Sequence, residues 1–190
     1  MATFTLEDTA LILIDHQVGI LSWISSIDPN ELKRNAVFLA NFARSQDMPV
    51  VLTSSLEAYG HQGAIVPELQ DAVPEAYAAR IQRQGIINAW DDPAFTAACH
   101  ATGKRNFVVA GVATDVCAAP VAISAAQAGY NVKVVVDACG SRTKLADDAA
   151  LQGLTAAGVM LMSTGAMLSE LVKDWTSPAG SALQRLFQGG

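Results

Sequence analysis

The stretch that decides the fold is Val108-Val109-Ala110-Gly111-Val112-Ala113-Thr114-Asp115-Val116-Cys117-Ala118-Ala119-Pro120. It begins as an apolar, β-branched run, passes through a corner of small residues and continues as an Ala-rich segment with helical character. This order is typical of a buried strand that turns sharply into a helix, with Cys117 in the first helical turn. Unpaired amides at a helix N-terminus favour negative charge. We therefore predict that Cys117 ionises readily and is a nucleophile, because the thiolate is the reactive form of cysteine.

Similar apolar runs recur along the chain and are separated by helical segments. Strands are predicted at 10–14, 49–54, 79–83, 106–111, 131–137 and 159–163, and helices at 28–44, 91–102, 117–128, 144–157, 165–173 and 177–187. Apolar strands that alternate with helices indicate βαβ units and a parallel sheet buried on both faces. The predicted fold is α/β, with three αβα layers around a six-stranded, parallel, doubly wound Rossmann-like sheet. Residues 1–190 form one predicted domain, in which 56–79 is either a functional loop or an undetected short helix.

Composition excludes several classes of function. The net charge is −6, with 12 basic and 18 acidic residues and no basic cluster, which argues against nucleic-acid binding. No apolar run reaches the ~18–20 residues that cross a bilayer, and the first residues do not resemble a signal peptide. Three widely spaced cysteines indicate free thiols and a cytoplasmic protein. No glycine-rich dinucleotide motif follows the first strand.

Polar residues follow several predicted strands, and in a parallel sheet the carboxyl ends of the strands form the ligand site. Asp15 closes the first strand, where it is either a proton acceptor for a thiol or a local turn carboxylate. Arg83 follows the third strand, and Arg80 competes with it for any role beside the carboxylate. Cys117 itself is either the nucleophile or a small buried hydrophobe. We predict that Asp15 and Cys117 face one cleft.

The remaining thiols and the first histidine have simpler interpretations. Cys99 lies inside a helix and is predicted to be structural. Cys139 follows a strand, so it either faces the cleft or packs in the core. His16 is predicted to be structural or to lie at an interface rather than to act as a base.

Together these strings resemble the isochorismatase-like cysteine hydrolase superfamily, and in particular its YcaC-like branch. The resemblance runs from about Thr9 to Asp174, nearly the whole chain. The matching motifs are Asp-His-Gln at 15–17, Ile-Asn-Ala-Trp at 87–90, Ala-Gly-Val-Ala-Thr-Asp-Val-Cys at 110–117 and Asp-Ala at 137–138.

The resemblance implies an Asp–Lys–Cys catalytic triad on this sheet. Asp15 matches the aspartate and Cys117 the cysteine, while the lysine position falls on Arg83. No lysine lies between Lys33 and Lys104. Arginine keeps the positive charge but does not readily give up a proton. Electrostatic support of Asp15 is therefore compatible with Arg83, whereas a neutral amine is not available there.

The resemblance also implies a cis peptide between Val112 and Ala113. In the family this geometry directs the N–H groups of Ala113 and Cys117 at one point, which forms an oxyanion hole for a tetrahedral intermediate. Candidate substrate-pocket residues in the matching strings are Gln17, Asn88, Trp90 and Thr114.

The main functional prediction is a hydrolase that cleaves a small amide through a Cys117 thioester, with Asp15 as general base and acid. One alternative is vinyl-ether hydrolysis of the isochorismatase type with Asp15 as acid. A second is a non-catalytic oligomeric scaffold or small-molecule binder.

No metal or other cofactor is predicted. Nicotinamidases of the superfamily bind zinc through an aspartate and paired histidines after the second strand, where this chain has only His61. The partners that we expect are a small-molecule substrate and further copies of the chain in a dimer-based homo-oligomer. Trp23 and Trp175 are candidate contacts in that assembly.

Overall fold

The computed structural model describes residues 3–189. Its six strands are β1 (Thr9–Ile14), β2 (Val50–Ser55), β3 (Ile81–Arg83), β4 (Asn106–Gly111), β5 (Asn131–Val135) and β6 (Met160–Met162). All five pairings are parallel, and the strand order is β3-β2-β1-β4-β5-β6. The order reverses between β1 and β4, which is the switch point where doubly wound sheets bind ligands. The predicted three-layer α/β fold is confirmed.

Helices follow the strands and cover both faces of the sheet. They are α1 (Val18–Leu21), α2 (Pro29–Ser45), α3 (Pro67–Ala72), α4 (Pro74–Ala78), α5 (Pro93–Ala101), α6 (Ala119–Gln127), α7 (Lys144–Ala156), α8 (Thr164–Val172) and α9 (Pro178–Gly189). Helix α2 contacts α3, α8 and α9. On the other face, α6 contacts α7 and the 3₁₀ turn Ala89–Asp91, which packs on α5. Within residues 3–189, no helix is both long enough and apolar enough to span a membrane.

The core explains why the apolar runs form this sheet. Every residue of β1 and β4 is buried, since helices cover both faces and the neighbouring strands cover both edges. Capping side chains determine where two of the helices begin. Asp28 accepts the N–H of Asn30 at the start of α2, and Asp92 accepts that of Ala94 at the start of α5. These caps agree with the predicted helix starts.

One connection decides between two predicted alternatives, and another differs from the prediction. The segment 56–79 holds a 3₁₀ turn and the helices α3 and α4, each begun by a proline at its first position. The helix that was expected to carry Cys117 is split, because a π-helical turn spans Thr114–Ala118 and α6 begins only at Ala119. Cys117 is the fourth residue of that turn, so it does not lie among the free amides of the helix start.

Candidate active site

Asp15 stands at the end of β1, beside the switch point of the sheet. Its backbone has φ +56°, a left-handed conformation that aspartate tolerates better than most residues, and its N–H donates to the Thr53 carbonyl at 3.0 Å. The side chain has no exposed surface. Because Ile14 pairs with Gly111, the chain after β1 and the turn after β4 lie next to each other. The register therefore brings Asp15 beside Cys117.

Arg83 reaches this carboxylate from two strands away. Its Nη2 donates to Oδ2 of Asp15, and both side chains are fully buried. On the way it crosses β2, where Nε donates to Oγ1 of Thr53 at 3.0 Å. Nη1 donates to the carbonyls of Ile86 and Ile87, the latter at 2.8 Å. The guanidinium thus holds one oxygen of Asp15 and anchors the following loop with the same planar group.

Arg80, the competing arginine, is used elsewhere. Its Nε and Nη2 donate to the two carboxylate oxygens of Glu57, each at 3.0 Å, and its guanidinium lies 4.1 Å from the centre of the Tyr77 ring. Arg83 is therefore the cation of the site.

The ionisation of Cys117 differs from the sequence expectation. Burial raises the pKa of its thiol, and the negative charge of Asp15 raises it further, while Arg83 acts in the opposite direction. The prediction of a readily ionised thiol is wrong for the resting site. The reason is positional, since Cys117 follows the free amides of the turn and faces a buried carboxylate instead. Cys117 as a whole residue is 8% exposed, against 0% for Asp15 and 1% for Arg83, so it is the most exposed of the three residues.

Asp15 has the properties of a proton acceptor. Burial raises the pKa of its carboxyl above the ordinary value, and the charge and hydrogen bond of Arg83 lower it in part. Oδ2 is held by Arg83, whereas Oδ1 has no hydrogen-bond partner in the described part of the chain. A buried carboxylate with one free oxygen beside a protonated thiol can accept the thiol proton.

The predicted oxyanion hole is only half free. The Val112–Ala113 peptide bond is cis, and the N–H of Ala113 donates to no acceptor in residues 3–189. The N–H of Cys117, however, donates to the carbonyl of Ala113 at 2.8 Å, and the N–H of Ala118 donates to the same carbonyl at 3.2 Å and closes the π-helical turn. The prediction of two free donors is therefore corrected to one, with the Cys117 amide available only as a shared, three-centre donor.

Gln17 has a structural position rather than one in a substrate pocket. Its Nε2 donates to the carbonyls of Ser55 (3.0 Å) and Gly63 (2.6 Å), and its Oε1 accepts the N–H of Ser55 at 2.7 Å. Both amide protons are thus used to tie the end of β2 to the next loop.

Thr114 is also fully buried, but its hydroxyl has no partner within the described residues. It remains a pocket candidate.

Trp90 packs away from the strand ends that hold Asp15 and Cys117, which corrects its assignment to the pocket, whereas a pocket role of Asn88 stays a prediction. Asn88 caps a 3₁₀ turn by accepting the N–H of Trp90, and it donates to Oγ of Ser124 in the middle of α6. Trp90 packs edge-on against Tyr130 and is close to Phe107. Phe107 is the second residue of β4 and Tyr130 precedes β5, so this cluster covers the opposite, amino-terminal end of the sheet.

His16 and Cys139 lie near the site but are structural. The His16 ring is fully buried, with Nε2 donating to the Ala138 carbonyl at 3.1 Å, and burial lowers its pKa to about 4. It is therefore neutral and holds the end of β5. Cys139 is 1% exposed, its sulfur accepts the N–H of Gly111 at 3.2 Å, and burial raises its pKa to about 12. It belongs to the core and does not line the cleft.

Sequence reasoning missed three residues that complete the site. Thr53 supplies the hydroxyl between Arg83 and the sheet, and Ile86 and Ile87 supply backbone carbonyls. A threonine in a buried strand and two isoleucines in a loop carry no chemical signal of their own. Among residues 3–189, no group of three His, Cys, Asp or Glu side chains is arranged to hold a metal ion.

The matches to known proteins agree with this geometry. The Isochorismatase domain family matches residues 9–166, a span that contains Asp15, Arg83 and Cys117. The chain belongs to the isochorismatase family. Over 169 residues it is 40% identical to Probable hydrolase YcaC of Escherichia coli. This alignment covers 89% of this chain and 80% of the relative. The family and this relative identify the chain as a hydrolase.

Two solved structures of YcaC proteins superpose closely. The Escherichia coli protein, described as an octameric hydrolase of unknown specificity, has a TM-score of 0.92 and 38% identity, and the match covers 98% of this chain and 90% of that one. The protein from Pseudomonas aeruginosa, solved with hexane-2,5-diol and covalent acrylamide, has a TM-score of 0.88 and 39% identity. That match covers 98% of this chain and 96% of the other.

Proposed function

We propose that the protein is a cysteine amidohydrolase that cleaves a small amide through a thioester on Cys117. The observation that carries this proposal is the buried Asp15 carboxylate, which has one oxygen bound by Arg83 and the other free, beside a protonated thiol. This is the arrangement of a nucleophile with its base and an orienting group. The covalent acrylamide of the Pseudomonas aeruginosa relative supports a reactive nucleophile in that protein, because acrylamide alkylates thiols.

Acylation begins from the neutral thiol. Asp15 accepts the proton from Sγ of Cys117 through its free Oδ1 as sulfur attacks the carbonyl carbon, so the charge never has to rest on an isolated buried thiolate. The C–S bond forms, and the carbonyl oxygen takes the negative charge. Asp15 then returns the proton to the departing nitrogen as the C–N bond breaks. Arg83 remains protonated throughout and stabilises Asp15 whenever that residue is ionised.

Hydrolysis of the thioester reverses the roles. Asp15 is again a carboxylate, and it removes a proton from water as the water oxygen attacks the thioester carbonyl. The C–S bond breaks, the acid leaves, and the sulfur regains its proton from Asp15. The N–H of Ala113 is free to bind the developing oxyanion in both halves of the reaction. The N–H of Cys117 joins it by sharing its proton with the Ala113 carbonyl.

Vinyl-ether hydrolysis is the second candidate. The observation in its favour is that burial raises the pKa of Asp15, which makes the protonated residue a usable acid. Isochorismate, however, carries two carboxylates, and the nitrogens of Arg83 are directed at acceptors of the protein itself. This chemistry also leaves Cys117 without a role. Because the chain is a hydrolase, a non-catalytic scaffold is not proposed.

We also propose that the protein is a homo-oligomer built from dimers. The octameric state described for the Escherichia coli relative supports this proposal. Trp23 and Trp175 are 45% and 51% exposed, which is unusual for tryptophan and suits residues that another copy covers. We propose in addition that residues 1–190 act as one domain.

The test is ammonia release from a panel of small primary amides and cleavage of a vinyl ether, measured for the wild type and two cysteine variants. Cys117→Ala is expected to abolish amide turnover, while Cys139→Ala, the matched change at a core thiol, keeps it. Full amide turnover by Cys117→Ala contradicts the proposal. Vinyl-ether cleavage that survives Cys117→Ala and is lost in Asp15→Asn supports the second candidate instead.

A further inference from the structure

The loop after β3 is attached to the catalytic carboxylate by one guanidinium. Nη2 of Arg83 contacts Asp15, while Nη1 of the same group holds the backbone carbonyls of Ile86 and Ile87. We propose that Ile86, Ile87 and Val116 form an apolar wall that binds the acyl substituent of the substrate, and that the substrate is a neutral aliphatic primary amide. This inference rests on the proposed amidohydrolase function and specifies its substrate class.

The wall is defined by exposure and position. Ile86, Ile87 and Val116 are 40%, 64% and 43% exposed, although large aliphatic side chains are normally buried. Val116 precedes Cys117, and one guanidinium separates the Ile86–Ile87 backbone from Asp15. The three exposed aliphatic residues therefore belong to the two chain segments that adjoin Cys117 and the guanidinium of Arg83. An apolar surface at the entrance of a site binds an apolar group.

The burial of Asp15 determines which part of the substrate meets this wall. The leaving nitrogen must receive its proton from Asp15, whose side chain has no exposed surface. A proton donor without exposed surface suits a small leaving group such as ammonia better than a bulky amine. The acyl substituent is bonded to the same carbonyl carbon and extends the other way, toward solvent. On that side it meets Val116 and the two isoleucines.

The charges around the site favour a neutral substituent. The contacts of Arg83 are directed at Asp15, Thr53 and two carbonyls, and Arg80 is paired with Glu57. A carboxylate on the substrate would lose hydration against the isoleucines without gaining either of these arginines as a partner. Anionic amides are therefore expected to be poor substrates.

The experiment measures kcat/KM for acetamide, butyramide, hexanamide and the anionic amide succinamate. Each methylene that the wall buries is expected to raise kcat/KM about 4-fold. Succinamate is expected to react more slowly than butyramide. Ile87→Asn is expected to lower the ratio of hexanamide to acetamide about 10-fold, since it replaces the most exposed part of the wall with a polar group. The control is Leu145→Asn, which changes an 81% exposed leucine at the start of α7 and is expected to leave the ratio unchanged.

The outcomes separate the inference from the proposed function. Cys117-dependent amide hydrolysis with no chain-length preference, or with the same preference in Ile87→Asn, overturns the wall and leaves the amidohydrolase intact. The absence of any amide hydrolysis by the wild type overturns both. Light scattering on each variant shows whether Ile87 belongs to a contact between copies. A change of mass with an unchanged hexanamide-to-acetamide ratio assigns the loop to such a contact and overturns the proposal.

Discussion

Removing the cation from the buried Asp15–Arg83 pair tests the geometry of the site directly. Arg83→Met keeps an unbranched side chain but leaves the Asp15 carboxylate without a counter-charge, and neither side chain has exposed surface in the native protein. Removing one partner of a buried pair costs about 3–5 kcal/mol, because a charge stays buried without compensation. The variant is expected to lose that much free energy of unfolding.

A double-mutant cycle isolates the contribution of the pair. In an Asp15→Asn background Arg83 is itself a buried charge without a partner, so Arg83→Met removes that charge together with the hydrogen bonds to Thr53 and to the loop carbonyls. Loss of the hydrogen bonds alone would cost about 1–3 kcal/mol, and relief of the unpaired charge offsets it, so the expected coupling free energy is at least about 2 kcal/mol. Urea denaturation of the four proteins at one protein concentration measures it.

The pH dependence of the single variant gives a second readout. Arg83 lowers the pKa of Asp15 against the effect of burial, so Arg83→Met raises that pKa further. A protonated Asp15 carries no charge, so the stability deficit is smallest at low pH and grows as pH rises through the raised pKa. A coupling free energy below about 0.5 kcal/mol, within the error of such cycles, would refute an ion pair between Asp15 and Arg83. A loss of stability in Arg83→Met that is the same at low and neutral pH would also refute it.

Three further predictions follow from neighbouring contacts. Burial lowers the pKa of His16 from 6.5 to about 4 on folding, so the free energy of unfolding is expected to fall by about 3 kcal/mol as pH drops through this window. Urea denaturation at several pH values should show a weaker pH dependence of stability for His16→Gln than for the wild type. In Gly111→Ala the new Cβ would lie 2.7 Å from Cβ of Ile14, which is expected to cost about 1–3 kcal/mol in thermal unfolding. Iodoacetamide should label Cys117 before the other two cysteines, with a rate that rises through alkaline pH because burial and Asp15 raise the thiol pKa; half-maximal labelling at mildly acidic pH contradicts this.

Much of the fold could be predicted from the sequence because its strands are unusually apolar. The bounds of β4 agree with the prediction, since an uninterrupted apolar run leads from Phe107 to Ala110 and ends at Gly111. The short helices between β2 and β3 could not be located from the sequence, which left a loop or a short helix open there, because each offers too few residues for a periodic pattern. A proline begins each of them, and proline is also common in loops.

The site was less predictable because its geometry depends on contacts across the sheet. The sequence places Asp15, Arg83 and Cys117 at or after the carboxyl ends of strands, and the structure has all three at that edge of the sheet. Which atoms meet there depends on register, on the backbone at Asp15 and on the loop that Arg83 holds. Trp90 shows the limit of a local string, since it follows the strand end in sequence but packs at the opposite end of the sheet.

The protonation state of Cys117 could not be predicted for a related reason. A position in the first turn of a helix favours the thiolate, but the π-helical turn places Cys117 after the free amides and beside a buried carboxylate. The local pattern and the tertiary environment act in opposite directions, and the environment has the larger effect. The cytoplasmic location and the absence of a metal stay predictions.

In the proposed mechanism Cys117 carries the acyl group during turnover. Rapid quenching of the wild type with saturating butyramide, followed by mass spectrometry of the intact chain and of its peptides, measures this directly. A butyryl adduct is expected on the peptide that contains Cys117, and no adduct is expected in Cys117→Ser. Steady ammonia release without any adduct at Cys117, or undiminished release by that variant, would contradict this mechanism.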